Sequence, residues 1–299
     1  MTVTRREMIR GSAATLAAAT LGGARAFAAE KGDGGLRVRF LGTGAADWAG
    51  PDPKLGHRRL TSVLLDGRVL VDFTRSDLDM LPAGCRPEAV FYTHSHDDHY
   101  DPALAVRIGV KRAYCHASWA EGLRAELKAA AEKADAPAPD VRALAFGERA
   151  EEAGIVLTSL PANHATNRAG EHCSMYLVEK GATRLLYATD TAGIPVEAAR
   201  IVGIDAHVKP GNPITALIME ATMGADYADD WRLFAHSSVA TVAQTVRVLT
   251  ETGRYIPRVP GQKVHLTHLA RTLHGPHADI AARAPSPLEP AFDGLEVVL

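Results

Sequence analysis

Cysteine is scarce in this sequence. The 299 residues include three cysteines, Cys85, Cys115 and Cys173, and no two of them form a CxxC spacing. The chain therefore offers no closely spaced thiolate pair of the kind that builds structural zinc sites. In an oxidising compartment one disulfide and one free thiol could form, but the sequence does not assign the pair. The alternative is that all three are small buried residues.

The N-terminal region lacks an apolar run long enough to span a membrane. Its apolar stretch, residues 11–23, has 13 residues, whereas a membrane-spanning helix needs about 20. Two adjacent arginines, Arg5 and Arg6, precede the stretch, and the small-x-small sequence of residues 26–28 follows it. This order is typical of a signal peptide over residues 1–28 that directs periplasmic or secreted export by the twin-arginine machinery. We expect cleavage after Ala28, and an uncleaved tether is the alternative.

A basic surface is missing as well. The whole chain has a formal net charge of −2, and removal of residues 1–28, with four arginines and one glutamate, leaves −5. A mildly acidic protein has no electrostatic footprint for a long nucleic acid, so we expect a small-molecule substrate. The oligomeric state is left open, a homodimer included.

The remaining composition is that of an ordinary globular protein, with 46% hydrophobic and 23% charged residues. We expect residues 29–299 to form one α/β domain. Periodicity and turn residues predict strands at residues 36–41, 61–65, 68–72, 88–93, 113–116, 154–160, 175–178, 185–187, 216–220, 263–267 and 295–299. They predict helices at residues 101–108, at 118–133 with Ser118 as its cap, and at 236–252.

The most informative stretch is the HxHxDH motif at residues 94–99, directly after a buried strand. Strand geometry places His94 and His96 on one side of the chain, and a turn would bring Asp98 and His99 towards a second, adjacent point. Imidazole and carboxylate ligands suit zinc, manganese or iron. One segment can therefore offer ligands to two metal ions.

Three later residues stand at the downstream ends of predicted strands: His164, Asp190 and His268. Each would be unremarkable alone. Because α/β architectures collect their sites at one edge of the sheet, we expect these side chains to meet the earlier histidine cluster.

Together these residues resemble the metallo-β-lactamase superfamily. The resemblance rests on the glycine-containing sequence of residues 40–46, the HxHxDH motif, His164, Asp190 within Thr-Asp-Thr, and His268 within Leu-Thr-His. It implies an αβ/βα four-layer sandwich, with two mixed sheets face to face and helices outside. The glycine-rich opening, His236 in His-Ser-Ser and the final Leu-Thr-His are similar to the phosphodiesterase branch. That branch includes ribonuclease Z and the cyclic-phosphate phosphodiesterase of phosphonate breakdown.

The resemblance also implies a role for each position. His94, His96 and His164 would hold one divalent ion, Asp98, His99 and His268 would hold the other, and Asp190 would bridge the two. Both ions are expected to be Zn²⁺, with Mn²⁺ or Fe²⁺ as alternatives. His236 would donate a proton to the leaving oxygen, and Asp98 and Asp190 are counted with it as catalytic residues.

These implications predict an exported dinuclear hydrolase, most simply a phosphodiesterase that uses a metal-bridging hydroxide on a small phosphodiester, cyclic diesters included. The alternatives are hydrolysis of a lactone or β-lactam at the same site, and a metal-binding protein without catalysis. We do not expect this chain to share the substrate of either named enzyme. Residues 47–57 lack the extra cysteine-rich zinc site of the phosphonate-pathway enzyme, and nothing matches the basic arm of ribonuclease Z.

Two further features have alternative interpretations. Asp97 is expected to orient a ligand imidazole, and the alternative is a solvated turn residue. Trp231 and Phe234 lie shortly before His236. Aromatic residues of this kind most often pack in the core, and the alternative is an apolar wall for a substrate.

Overall fold

The structure, a computed structural model of the chain, describes residues 34–299. The predicted signal peptide and its cleavage site lie outside these residues. Within residues 34–299, every helix is too short or too polar to cross a lipid bilayer.

The described residues form fourteen strands. They are β1 (Arg37–Gly42), β2 (Ser62–Leu65), β3 (Val69–Val71), β4 (Ala89–Phe91), β5 (Arg112–His116), β6 (Asp140–Leu144), β7 (Arg149–Glu152), β8 (Ile155–Pro161), β9 (Ser174–Lys180), β10 (Thr183–Ala188), β11 (Ala216–Glu220), β12 (Val264–Thr267), β13 (Leu288–Pro290) and β14 (Glu296–Val298). The β2–β3 hairpin turns at Asp66 and Gly67, whose φ angles are 49° and 73°. A two-residue hairpin loop with a type I′ turn requires positive φ at both positions.

The strands make two seven-stranded mixed sheets. The first has the order β14-β1-β2-β3-β4-β5-β6, and the second has the order β13-β12-β11-β10-β9-β8-β7. Strands β3 to β6 are parallel to one another, as are β10 to β13. Each sheet therefore has one edge where the carboxyl ends of several strands meet.

Five α-helices of the described range cover the outer faces: α1 (Pro102–Arg107), α2 (Ala120–Ala134), α3 (Val196–Val202), α4 (Val239–Glu251) and α5 (His277–Arg283). Helices α1 and α2 pack on the first sheet, and α3, α4 and α5 pack on the second. This arrangement confirms the predicted αβ/βα four-layer sandwich.

The central core lies between the two sheets. Phe91 of the first sheet packs edge-on against Tyr176 of the second, with ring centroids 5.6 Å apart. Tyr176 is fully buried, and its hydroxyl donates a 2.7 Å hydrogen bond to the carbonyl of Tyr92. A buried tyrosine hydroxyl needs such a partner, and this one ties the second sheet to the strand that leads into the HxHxDH motif.

The predicted cap of the second helix is wrong. Helix α2 begins at Ala120 after a 3₁₀ turn over Ala117–Trp119. The Ser118 hydroxyl lies 2.9 Å from His116 Nδ1 and also accepts the N–H of His172. These contacts occupy the hydroxyl, so it does not cap the helix.

Candidate metal centre

The site forms where strand ends converge. The HxHxDH motif follows β4, His164 follows β8, Asp190 follows β10 and His268 follows β12. Asp190 and His268 have φ angles of 46° and 55°. Non-glycine residues rarely adopt this left-handed conformation, and such outliers concentrate at functional sites.

Three imidazoles form the first group. His96 Nδ1 lies 3.0 Å from His94 Nε2 and 3.3 Å from His164 Nε2. His94 is fully buried, and the other two are partly exposed. These are the three residues predicted for one metal ion.

The second group is more buried and contains Asp98, His99, Asp190 and His268. Asp98 Oδ2 lies 3.3 Å from His99 Nε2 and 3.3 Å from His268 Nε2. Asp190 Oδ1 lies 3.3 Å from His268 Nε2, and its Oδ2 lies 2.5 Å from His99 Nε2. The same Oδ2 is 3.5 Å from His94 Nε2 in the first group. Asp190 therefore faces both groups.

The residues fit divalent ions. Atoms that share a tetrahedral zinc with bonds of about 2.0–2.1 Å are about 3.3 Å apart, and most neighbouring donor atoms here have that spacing. Among residues 34–299, the buried atoms His99 Nε2 and Asp190 Oδ1 lie close to other cluster atoms but make no hydrogen bond of acceptable geometry. Buried polar atoms rarely stay unpaired, so these two indicate a bound group that the protein itself does not provide.

Comparison with known proteins identifies the family of the chain. Residues 72–268 match the family model of the beta-lactamase superfamily domain. The chain belongs to the metallo-β-lactamase superfamily. No curated protein matches the sequence.

Solved structures show the same superfamily fold at low sequence identity. The metallo-beta-lactamase fold protein YhfI from Bacillus subtilis has a TM-score of 0.60 and 17% identity, covering 88% of this chain and 99% of its own. Zn²⁺-bound PqqB from Methylobacterium extorquens has a TM-score of 0.60 and 18% identity, covering 88% and 100%. Unliganded yeast PDE1 has a TM-score of 0.57 and 10% identity, covering 89% and 100%. Such similarities establish the fold and do not transfer an activity.

Four of the five predicted ligand histidines of this superfamily member share one orientation. Each turns Nε2 towards the cluster, while Nδ1 lies within hydrogen-bond distance of an oxygen atom. The oxygen atoms are Thr93 Oγ1 at 2.9 Å for His94, Asp72 Oδ2 at 2.8 Å for His99, the Ala235 carbonyl at 3.3 Å for His164, and Thr222 Oγ1 at 2.9 Å for His268. A hydrogen on Nδ1 leaves the Nε2 lone pair free to bind a metal.

The ionisation of His94 and Asp190 suits metal binding. Burial lowers the pKa of the His94 imidazole well below its usual value. Burial alone would raise the pKa of the Asp190 carboxyl, but His268 and His99 hold it well below its usual value. A neutral imidazole and an ionised carboxylate are the protonation states that a cation requires of its ligands.

Two buried carboxylates that support the site were missed in the sequence. Asp72 accepts a hydrogen bond from the Thr93 N–H at 2.8 Å, in addition to its contact with His99 Nδ1. Glu220, which is 1% exposed, accepts the Thr191 N–H at 2.7 Å and bonds the Thr222 hydroxyl. Each stands at or directly after the end of a buried strand, β3 or β11. A carboxylate in that position was the signal that could have identified both.

His236 lies at the rim of the cluster. Its Nδ1 is 3.3 Å from Asp190 Oδ1 and 3.3 Å from Glu220 Oε1, and its side chain is 21% exposed. Burial lowers the pKa of this imidazole, but the neighbouring Asp190 and Glu220 carboxylates outweigh burial and raise the pKa to about 10. His236 precedes α4, which Ser238 caps by accepting the Thr241 N–H. His236 therefore lies outside the helix that was predicted to begin at residue 236. Its imidazole can face a substrate.

The remaining expectations have mixed outcomes. Asp97 is exposed and has no hydrogen bond or ion pair with any other residue in the described range, so its interpretation as a solvated turn residue is the correct one. Trp231 and Phe234 are 72% and 84% exposed. The expectation that they pack in the core is wrong, because they lie on a short 3₁₀ helix, Trp231–Phe234, that has no buried residue.

Proposed function

We propose that this protein is a dinuclear metal-dependent hydrolase that acts as a phosphodiesterase on a small phosphodiester, cyclic diesters included. Membership of the metallo-β-lactamase superfamily and the histidine and aspartate cluster support metal-dependent hydrolysis. The observation that carries the narrower proposal is His236, an imidazole beside the cluster and outside the two sets of predicted ligands.

The candidate ligands fall into two sets that share one carboxylate. His94, His96 and His164 would hold one ion, and Asp98, His99 and His268 would hold the other, with Asp190 facing both. When bound, two such ions supply an activated water and neutralise charge on the non-bridging phosphoryl oxygens. Zinc suits this donor set, and manganese and iron are the alternatives.

His236 supplies what the cluster lacks. A phosphodiester with an alkoxide leaving group needs a proton on the departing oxygen, and general acids of this kind contribute about 10²–10⁴-fold. Asp190 and Glu220 both contact Nδ1, which stabilises a protonated ring and leaves Nε2 to give the proton. Glu220 thus acts through His236 as a positioning residue.

The second candidate is hydrolysis of a lactone or β-lactam. A strained ester or amide needs less help from a general acid, so hydrolysis of such a substrate would give no role to His236 and Glu220. The presence of both residues favours the phosphodiester.

The test is a substrate panel on the metal-loaded chain, with alkyl phosphodiesters, cyclic phosphodiesters, lactones and β-lactams at matched concentrations. We expect turnover of the phosphodiesters to exceed that of the other classes. Turnover of a lactone or β-lactam with inert phosphodiesters would favour the second candidate, and a metal-loaded protein inert on the whole panel would favour a metal-binding role.

We also propose that the protein is exported by the twin-arginine machinery, on the strength of Arg5, Arg6 and the small-x-small sequence at residues 26–28. Arg5→Lys with Arg6→Lys should keep the protein inside the cell. Equal export of the variant and the parent chain would contradict this proposal.

A further inference from the structure

Two large aromatic side chains are exposed on the short helix that precedes His236. Trp231 and Phe234 belong to the 3₁₀ helix Trp231–Phe234 and are 72% and 84% exposed. Exposed aromatic residues in a pair, next to a candidate active site, are typical of a binding surface.

The helix is joined directly to the site. The His236 N–H donates a 2.8 Å hydrogen bond to the carbonyl of Arg232. The carbonyl of Ala235, the next residue after the helix, lies 3.3 Å from His164 Nδ1. The backbone that carries the two aromatic residues is thus held in position relative to one predicted metal ligand and to His236.

The 3₁₀ helix Trp231–Phe234 and its capping residue Asp230 together have no net charge. Asp230 and Arg232 form an ion pair at 3.0 Å, and the Arg232 guanidinium lies over the Trp231 ring at 5.0 Å. An anionic partner would find no free cation in this ion pair, whereas an apolar group would find two aromatic rings. The surface therefore suits the uncharged part of a substrate.

We propose that Trp231 and Phe234 bind an apolar, ring-sized leaving group and so determine the specificity of the enzyme. The inference rests on the proposed function, in which His236 protonates the leaving oxygen. That oxygen must lie within hydrogen-bond distance of His236. The group attached to it therefore extends from the cluster on the side where His236 lies. Phe234 is two residues from His236 in the chain, so the aromatic pair belongs to the chain segment next to that side of the cluster.

The structure offers a selective optical probe for this surface. Of the three tryptophans of the sequence, Trp48 and Trp119 are 8% and 5% exposed, and Trp231 is 72% exposed. A ligand that covers Trp231 should therefore shift the long-wavelength part of the emission and leave the buried tryptophans unchanged.

The experiment compares benzylphosphonate with ethylphosphonate on the zinc-loaded full chain. Neither compound has an ester bond to hydrolyse, both have the same ionisable group, and only one has a ring. We expect benzylphosphonate to shift the Trp231 emission to shorter wavelength and, by titration calorimetry, to bind about tenfold more tightly.

Variants assign the preference to the two aromatic residues. Trp231→Ala and Phe234→Ala should each reduce the tenfold preference to about threefold or less, with unchanged metal content and circular dichroism. Phe292→Ala removes another exposed aromatic residue, 50% exposed, whose ring contacts His277. This control should keep the full preference.

Equal binding of the two phosphonates by a chain that hydrolyses phosphodiesters would overturn this inference alone. A retained preference in a chain that hydrolyses no phosphodiester would overturn the proposed function and support an aromatic-binding surface. Trp231 emission that is already at short wavelength in ligand-free protein, and shifts on dilution, would show that a second copy covers the surface and would contradict the inference.

Discussion

Glu220 Oε1 lies 3.3 Å from His236 Nδ1, and Glu220 is 1% exposed. A buried carboxylate beside an imidazole favours the protonated ring and fixes its orientation. Glu220 also bonds the Thr222 hydroxyl, which in turn lies 2.9 Å from His268 Nδ1. One carboxylate therefore connects the proposed proton donor with a candidate metal ligand.

His236→Ala should cause a loss of turnover that depends on the leaving group. On dialkyl phosphodiesters we expect kcat to fall by about 10²–10⁴-fold, because an alkoxide needs a proton. On diesters of p-nitrophenol, which leaves readily as an anion, the fall should be below tenfold. Steady-state kinetics on the two substrate classes checks this, and an equal loss on both would remove His236 from the role of general acid.

Glu220→Gln should reproduce this pattern at smaller magnitude. The amide oxygen can still accept the Thr191 N–H, but the charge that favours protonated His236 is gone. We expect kcat on dialkyl substrates to fall about tenfold and kcat on p-nitrophenyl substrates to stay nearly constant. Glu251→Gln, at an exposed carboxylate of α4, is the matched control. A uniform loss on both substrate classes would show that Glu220 is merely structural.

Asp72→Asn should weaken metal binding. Asp72 accepts from His99 Nδ1 at 2.8 Å, and loss of a carboxylate partner behind a ligating histidine typically costs 10–100-fold in metal affinity. Competition with a chelator measures the change, and Asp97→Asn, at an exposed position of the same motif, should leave the affinity unchanged. Equal affinity in both variants would contradict the role given to Asp72.

Asp77→Asn should flatten the pH dependence of stability. Burial raises the pKa of the Asp77 carboxyl to about 7 from an unfolded value of 3.8. Between these two values the folded chain binds more protons than the unfolded chain, so stability falls as the pH rises. At about 1.4 kcal/mol per pKa unit, the loss is about 4 kcal/mol.

Urea unfolding at several pH values between 4 and 7 tests this expectation. Asp79→Asn is the control, since Asp77 and Asp79 lie on one 3₁₀ helix, Arg75–Met80, and the Asp79 side chain is 66% exposed. That control should keep the decline, and a decline that persists in Asp77→Asn would assign it to another group.

The outcome for each residue shows what a sequence alone can provide. The HxHxDH motif, His164, Asp190 and His268 could be selected because each is an unusual side chain at the end of an apolar strand. Asp72 and Glu220 have the same position, but their partners are distant in the chain, so only the folded structure shows what they contact. Sequence patterns report burial and period, and they do not report which strand ends become neighbours.

The sequence pattern also failed to predict two edge strands and the exposure of two aromatic residues, for a related reason. Strands β6 and β7 stand at the ends of the two sheets and are largely exposed, so their sequences contain few large apolar residues. Trp231 and Phe234 have core-like side chains, and their exposure depends on the short 3₁₀ helix that carries them. In both cases tertiary position outweighs residue type.

Metal content of the purified chain tests the central claim most directly. Elemental analysis should find two divalent ions per chain, and Asp190→Ala, which removes the carboxylate facing both groups, should lower the content below one. Chains without bound metal after incubation with zinc, manganese and iron, or an Asp190→Ala variant that still holds two ions, would contradict the account.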